Sequence, residues 1–127
     1  MPKILVIEDE LNIQKLVKAN LAASGYQVFV ASDGEEGLGL AKLESPDLIL
    51  LDLMMPGISG WDVLTALKTN PRVREIPVVI MTASAHKDEE DKARSMGAVN
   101  YLVKPFSADE LLRHVKQVVG ASDNKDA

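Results

Sequence analysis

Four aliphatic residues, Leu48 to Leu51, run unbroken into one carboxylate, Asp52, and then into a loop marked by Pro56 and Gly57. An apolar run of this length, bounded by turn signals, predicts a strand buried on both faces, as at the centre of a parallel sheet. A charge at the carboxyl end of such a strand has no packing role. In open α/β sheets that edge is where ligands bind.

The same pattern repeats along the chain. Lys3–Ile7 leads into Glu8-Asp9-Glu10, and then Leu11, Ile13, Leu16, Val17 and Leu21 recur at helical spacing until Ser24-Gly25. Leu16 is assigned to the core, and Ile13 and Phe106 to either core or docking surface. Gln27–Ala31 predicts a second strand. Asp33 with Glu36 reads as a capping box opening a helix to about Glu44, in which Gly37 and Gly39 each cost about 1 kcal/mol. Ser45-Pro46 ends it.

The third strand is Asp47–Leu51. Ser59 caps a helix from Gly60 to about Asn70, with Val63, Leu64 and Leu67 inward. Pro77–Met81 is the fourth strand, with Thr82 at its end. A polar helix follows from roughly Lys87 to Met96, and its run Lys87-Asp-Glu-Glu-Asp-Lys92 reads as a solvated face. Asn100–Val103 is a short fifth strand before Lys104-Pro105. A second capping box, Ser107 with Glu110, opens a helix with Leu111, Leu112, Val115, Val118 and Val119 on its apolar face. Residues 1–120 read as one domain and 121–127 as a polar C-terminal tail, frayed from Gly120 onward. Strict βα alternation predicts a parallel five-stranded sheet covered by helices on both faces, with right-handed crossovers.

Composition removes several classes of function. The absence of cysteine excludes disulfides, thiolate metal sites and a cysteine nucleophile. A net charge of -5, with one Trp, two Tyr and two Phe, argues against direct nucleic-acid binding. No apolar run approaches the roughly 18 residues of a membrane span and the start carries no signal-peptide pattern, so no membrane partner is expected.

The polar residues that follow the strands are Glu8 and Asp9, then Asp52, Thr82 and Lys104. In a parallel sheet these ends share one edge. The second strand ends in Ala31-Ser32 and adds no such group, as suits an outlying strand. Crowded carboxylates repel unless a cation joins them. Oxygen ligands with room for water suit Mg²⁺ or Mn²⁺. A cation, an ammonium, a hydroxyl and a carboxylate nucleophile together suit phosphoryl transfer.

These residues carry a resemblance. Glu8-Asp9, Asp52-Leu-Met-Met-Pro-Gly57 with Gly60, Thr82-Ala83 and Tyr101-Leu-Val-Lys104-Pro105-Phe106, in that order and each after its own strand, resemble the receiver domain of two-component response regulators. The resemblance covers residues 3 to 119. It implies a (βα)5 flavodoxin-like three-layer sandwich of strand order 2-1-3-4-5, which puts Asp9 and Asp52 on neighbouring central strands. It implies that Asp52 is the phosphoacceptor, charged by a sensor histidine kinase or phosphotransfer protein, in a cytoplasmic signalling domain that is an enzyme only toward itself. Asp9, Asp52 and the backbone carbonyl of Met54 would hold Mg²⁺, with Glu8 acting through water. Lys104 and Thr82 would each take a phosphoryl oxygen, beside the small Ala83, and Lys104-Pro105 would be a cis peptide.

Tyr101 stands at the position of the family's switch aromatic, with plain edge packing as the rival reading. If Thr82 moves toward the phosphoryl group, Tyr101 would swing inward behind it. That motion would remodel the face of the fourth helix, fifth strand and fifth helix, where an output protein or domain, or a second copy of the chain, would bind. Met54 and Ser84 flank the site and orient water poorly, so slow self-dephosphorylation is expected. His86 and His114 read as exposed and uninvolved, and Trp61 as packed at the start of its helix.

Three rivals remain. A Mg²⁺-dependent phosphohydrolase would need a second carboxylate two residues after Asp52, where Met54 stands. A flavin or nucleotide binder would need a Gly- or Ser/Thr-rich phosphate loop where Glu8-Asp9-Glu10 stand. A receiver that no longer takes phosphate would have lost part of the motif set, and nothing in it is missing.

Overall fold

The computed structural model describes residues 1–120, so the expected tail at 121–127 lies outside the described residues. Strands and helices alternate throughout: β1 Lys3–Ile7, α1 Leu11–Ala23, β2 Gln27–Ala31, α2 Gly34–Glu44, β3 Leu48–Asp52, α3 Gly60–Thr69, β4 Val78–Thr82, α4 Lys87–Ser95, β5 Asn100–Val103 and α5 Ala108–Val119. The strands form one parallel sheet in the order β2-β1-β3-β4-β5. This is the flavodoxin-like topology that the resemblance implied.

The period of two along each strand divides the core into two layers. Leu5, Ile7, Ile49, Leu51, Val78, Ile80 and Tyr101 face one way, against Ala41 of α2, Val63, Leu64 and Leu67 of α3 and Ala93 of α4. Ile4, Val6, Leu48, Leu50, Val79, Met81 and Leu102 face the other way, against Val17 and Leu21 of α1 and Leu111 and Val115 of α5. β3 and β4 are buried at every position, whereas the outer strand β2 is buried only at Ala31.

Several expectations shift. Leu16 is 42 % exposed, not core, because Gln14, Val17 and Leu21 form the inward stripe of α1 and Leu16 falls to its side. β3 and β4 are each displaced by one residue, starting at Leu48 and Val78 and ending at Asp52 and Thr82. Pro77 has no N–H to give the ladder, although its carbonyl accepts from Ile49 N. The Asp33 box is half-formed: Asp33 accepts from Glu36 N, but Glu36 reaches back to Ser32 N, not to Asp33 N. The Ser107–Glu110 box is complete. Gly37 has a packing reason, since a Cβ there would lie 2.5 Å from Ile7 Cδ1. α2 therefore lies close against β1.

Candidate phosphoacceptor and metal site

The carboxyl ends of β1, β3 and β5 converge because the register aligns them: Ile7 pairs with Leu51, and Asp52 with Met81. Glu8, Asp9, Glu10, Asp52, Met54, Ala83 and Lys104 line one cleft of about 400 Å³. One oxygen from each of Glu8, Asp9 and Asp52 can be chosen so that all lie within 4.8 Å of one another. Glu8 and Asp52 are buried, and Asp9 is exposed at the mouth. Three convergent carboxylates with one side open fit a hard divalent ion that keeps some of its waters.

Each member is fixed by the fold. Asp52 Oδ1 accepts from Met54 N at 3.0 Å, which orients the carboxylate as the chain leaves β3. Gly60 lets α3 start directly above it: a Cβ there would lie 2.4 Å from the carbonyl oxygen of Asp52 and from Leu53 Cα. Glu8 N donates to Ala31 O, and Glu8 Oε2 accepts from Glu10 N. Lys104 N donates to Thr82 O at 2.7 Å, and the Lys104-Pro105 peptide is cis, as expected.

The ammonium of Lys104 lies 2.8 Å from Glu8 Oε1 and 3.3 Å from Asp52 Oδ2. Burial pushes the Glu8 carboxyl up to about 6, with the charge of Asp52 adding to the rise and Lys104 and the Glu10 N–H opposing it. Burial alone would pull the Lys104 ammonium down. The hydrogen bond to Glu8 and the charges of Asp52 and Glu8 outweigh it and hold the group above the usual lysine range.

Thr82 lies apart from the carboxylates, in an adjoining cleft that shares Met54 and Ala83 and adds Ser84, Ala85, His86 and Glu89. Its hydroxyl donates to Glu89 Oε1 at 3.3 Å and accepts from Ser84 N at 3.2 Å. Tyr101 is 8 % exposed in this structure. The reason is its hydroxyl, which finds acceptors under α4 in Glu89 Oε1 and Ser84 O. Burial, and then the neighbouring Glu89, hold that hydroxyl above the ordinary tyrosine range.

Two residues escaped the sequence reading. Gln14 Nε2 donates to Glu8 O at 2.6 Å and to Ser32 Oγ at 3.2 Å, tying α1 to the peptide that carries the acidic pair. A polar residue on the apolar stripe of α1 was its available signal. Glu89 belongs to the run read as a solvated face, and that reading fails for it, because it is half-buried with its carboxylate on Thr82 and Tyr101; Lys92 is exposed, as expected, with its Nζ 4.4 Å from the Trp61 ring. His114 is half-buried rather than exposed, and its Nδ1 is buried without a hydrogen-bond partner among the described residues. His86 is exposed, as expected.

Comparison with known proteins places this geometry in a group. The sequence pattern described as the response regulator receiver domain matches residues 4–116. The chain is 40 % identical over 123 residues to the DNA-binding dual master transcriptional regulator RpaA of Synechocystis, covering 97 % of this chain and 51 % of that protein. It is 40 % identical over 121 residues to the alkaline phosphatase synthesis transcriptional regulatory protein PhoP of Bacillus subtilis, covering 95 % and 50 %. The chain thus spans about half the length of these curated relatives. Among solved structures, chemotaxis protein CheY4 of Vibrio cholerae superposes with a TM-score of 0.88 at 30 % identity, covering 93 % of this chain and 98 % of that one. The receiver domain of the sensor histidine kinase PA1611 from Pseudomonas aeruginosa, solved with a magnesium ion in its active-site cleft, superposes with a TM-score of 0.85 at 28 % identity, covering 94 % and 98 %.

Proposed function

The chain belongs to the response regulator receiver domain family, and from that premise we propose that Asp52 is the residue phosphorylated, with Glu8, Asp9, Thr82 and Lys104 in the roles the site's chemistry gives them. The carrying observation is the pairing of a buried Asp52 carboxylate with Lys104 at 3.3 Å inside a cluster of three convergent acids. An Asp52 oxygen attacks the phosphorus of a phosphohistidine on a sensor kinase or phosphotransfer protein. The P–N bond breaks as the P–O bond forms, and the imidazole leaves with its electron pair. Asp9 and Asp52, with the Met54 carbonyl and, through water, Glu8, would hold Mg²⁺, with Mn²⁺ able to take its place. Such an ion neutralises charge on the phosphoryl oxygens. Lys104 neutralises a second oxygen once it is released from Asp52, and Thr82 donates its hydroxyl to a third.

The product acts by binding, not by turnover on other substrates. The output face is that of α4, β5 and α5, and it meets an output domain, a separate protein or a second copy of the chain. Residues 1–120 form the unit that does this, in the cytoplasm. No helix of the described residues is long and apolar enough to cross a membrane. The test is incubation with Mg²⁺ and acetyl phosphate followed by intact mass measurement. The native chain gains one phosphoryl group, and Asp52→Asn gains none. Equal gain in both chains would put the acceptor elsewhere.

A further inference from the structure

The Thr82 hydroxyl carries one proton, and in this structure that proton goes to Glu89 Oε1, not to the acidic cleft. The same carboxylate oxygen accepts the hydroxyl of Tyr101, and the Thr82 oxygen is held from its other side by Ser84 N. Glu89 and Glu90 are both half-buried in the first turn of α4, while Asp88 and Asp91 are exposed; Glu90 pairs with Arg94 at 3.1 Å, whereas Glu89 reaches Thr82. A carboxylate placed on the hydroxyl that a phosphoryl oxygen needs is an anion competing with an anion for one donor.

We propose that Glu89 is a positioning residue for phosphoryl transfer: it holds the Thr82 hydroxyl in the unphosphorylated chain, and phosphorylation of Asp52 requires that bond to be exchanged. The proposal rests on the functional reading above. When the phosphoryl oxygen takes the Thr82 proton, Glu89 loses one of its two donors and faces a new negative charge. Tyr101 and the start of α4 are tied to that same carboxylate, so the exchange reaches the α4–β5 face directly. The charge of Glu89 thereby sets how readily the chain is phosphorylated.

The test measures phosphoryl uptake from acetyl phosphate with Mg²⁺ in the full chain, by intact mass over time. Five proteins are compared: native, Glu89→Gln, Glu89→Ala, Thr82→Ala and the Thr82→Ala/Glu89→Ala double variant. Release of one charge-assisted hydrogen bond corresponds to an uptake about three- to tenfold faster in Glu89→Ala, with Glu89→Gln between it and native. The gain is expected in the maximal rate and not in the acetyl phosphate concentration for half-saturation. In the Thr82→Ala background, removal of Glu89 is expected to change nothing. Unchanged rates in both Glu89 variants overturn the proposal and leave the functional reading standing. An equal acceleration without Thr82 also overturns it, because the charge would then act at large. If Glu89→Ala does not fold, the rate of Glu89→Gln decides by itself. A native chain that takes no phosphoryl group ends the functional reading and this proposal together.

Discussion

Lys104 places its ammonium 2.8 Å from Oε1 of Glu8, a residue 96 positions earlier in the chain. Their side chains are 16 % and 1 % exposed, so this is a nearly dry ion pair, and Asp52 is its third member at 3.3 Å. Such a pair resists loss of one partner more than it adds stability as a whole.

Replacement of Lys104 by Met removes the cation and leaves Glu8 and Asp52 facing each other. At neutral pH without divalent ions, urea unfolding is expected to show a loss of about 3 kcal/mol. Added Mg²⁺ should recover part of it, because the ion takes over the neutralisation. Phosphoryl uptake should fall in the same variant. A variant as stable as native without metal would refute the pairing as a structural element.

Glu8 predicts a pH dependence of metal binding. It is an acid whose pKa in the folded chain, about 6, lies above its ordinary value of 4.5. The protonated form is therefore favoured in the metal-free fold, and this contribution is lost as pH rises from 4.5 through 6. A divalent ion needs the ionised form and competes with that proton. The Mg²⁺-induced rise in Tm is expected to be larger at about pH 7.5 than at about pH 5. Equal shifts at both would contradict the assignment.

Asp9 is exposed, so Asp9→Asn should leave metal-free stability within about 0.5 kcal/mol of native. Its effect belongs to the ion. Mg²⁺ affinity, read by titration calorimetry, should weaken by about tenfold or more. Loss of stability without loss of affinity would reverse the reading of this residue.

Gly60→Ala inserts a Cβ 2.4 Å from two backbone atoms, Asp52 O and Leu53 Cα, neither at the end of a flexible chain. Overpacking of that kind costs about 1–3 kcal/mol. Because the clash falls on Asp52 itself, phosphoryl uptake should drop beyond what the stability loss explains. Uptake at the native rate would show that α3 can back away without disturbing the acceptor.

Met54 is 72 % exposed and borders both clefts, and Ser84 lies in the second. Neither carries an acid or amide to orient water on an acyl phosphate. The native phosphoryl group is expected to outlast that of a Met54→Asn/Ser84→Glu variant in a phosphate-release assay. Faster release from the native chain would overturn this.

Much of the site was legible because each strand end announces itself. Leu48–Leu51 demands a buried strand, and a carboxylate closing such a run has few other uses. Parallel topology then brings Glu8, Asp9, Asp52 and Lys104 to one edge without further information. Gln14 and Glu89 were not legible in this way. In a helical repeat both look like ordinary polar residues, and their meaning depends on what lies across a gap of several ångströms. Leu16 failed for a related reason. Apolar residues at Leu11, Ile13, Leu16, Val17 and Leu21 allow more than one inward stripe, and packing against β1, β2 and α5 chose Val17 and Leu21.

The order of strands and helices, the two-layered core and the meeting of acids beside a lysine follow from the sequence alone, because hydrophobic period and parallel connection leave few other arrangements. The tertiary structure decided which hydroxyl bonds to which carboxylate, and so that Tyr101 rests inside and that Glu89 holds Thr82. Those bonds form between side chains from different elements, at separations of a few ångströms. Residue pattern fixes which elements meet, and the docking of α4 on β4 and β5 fixes which atoms touch.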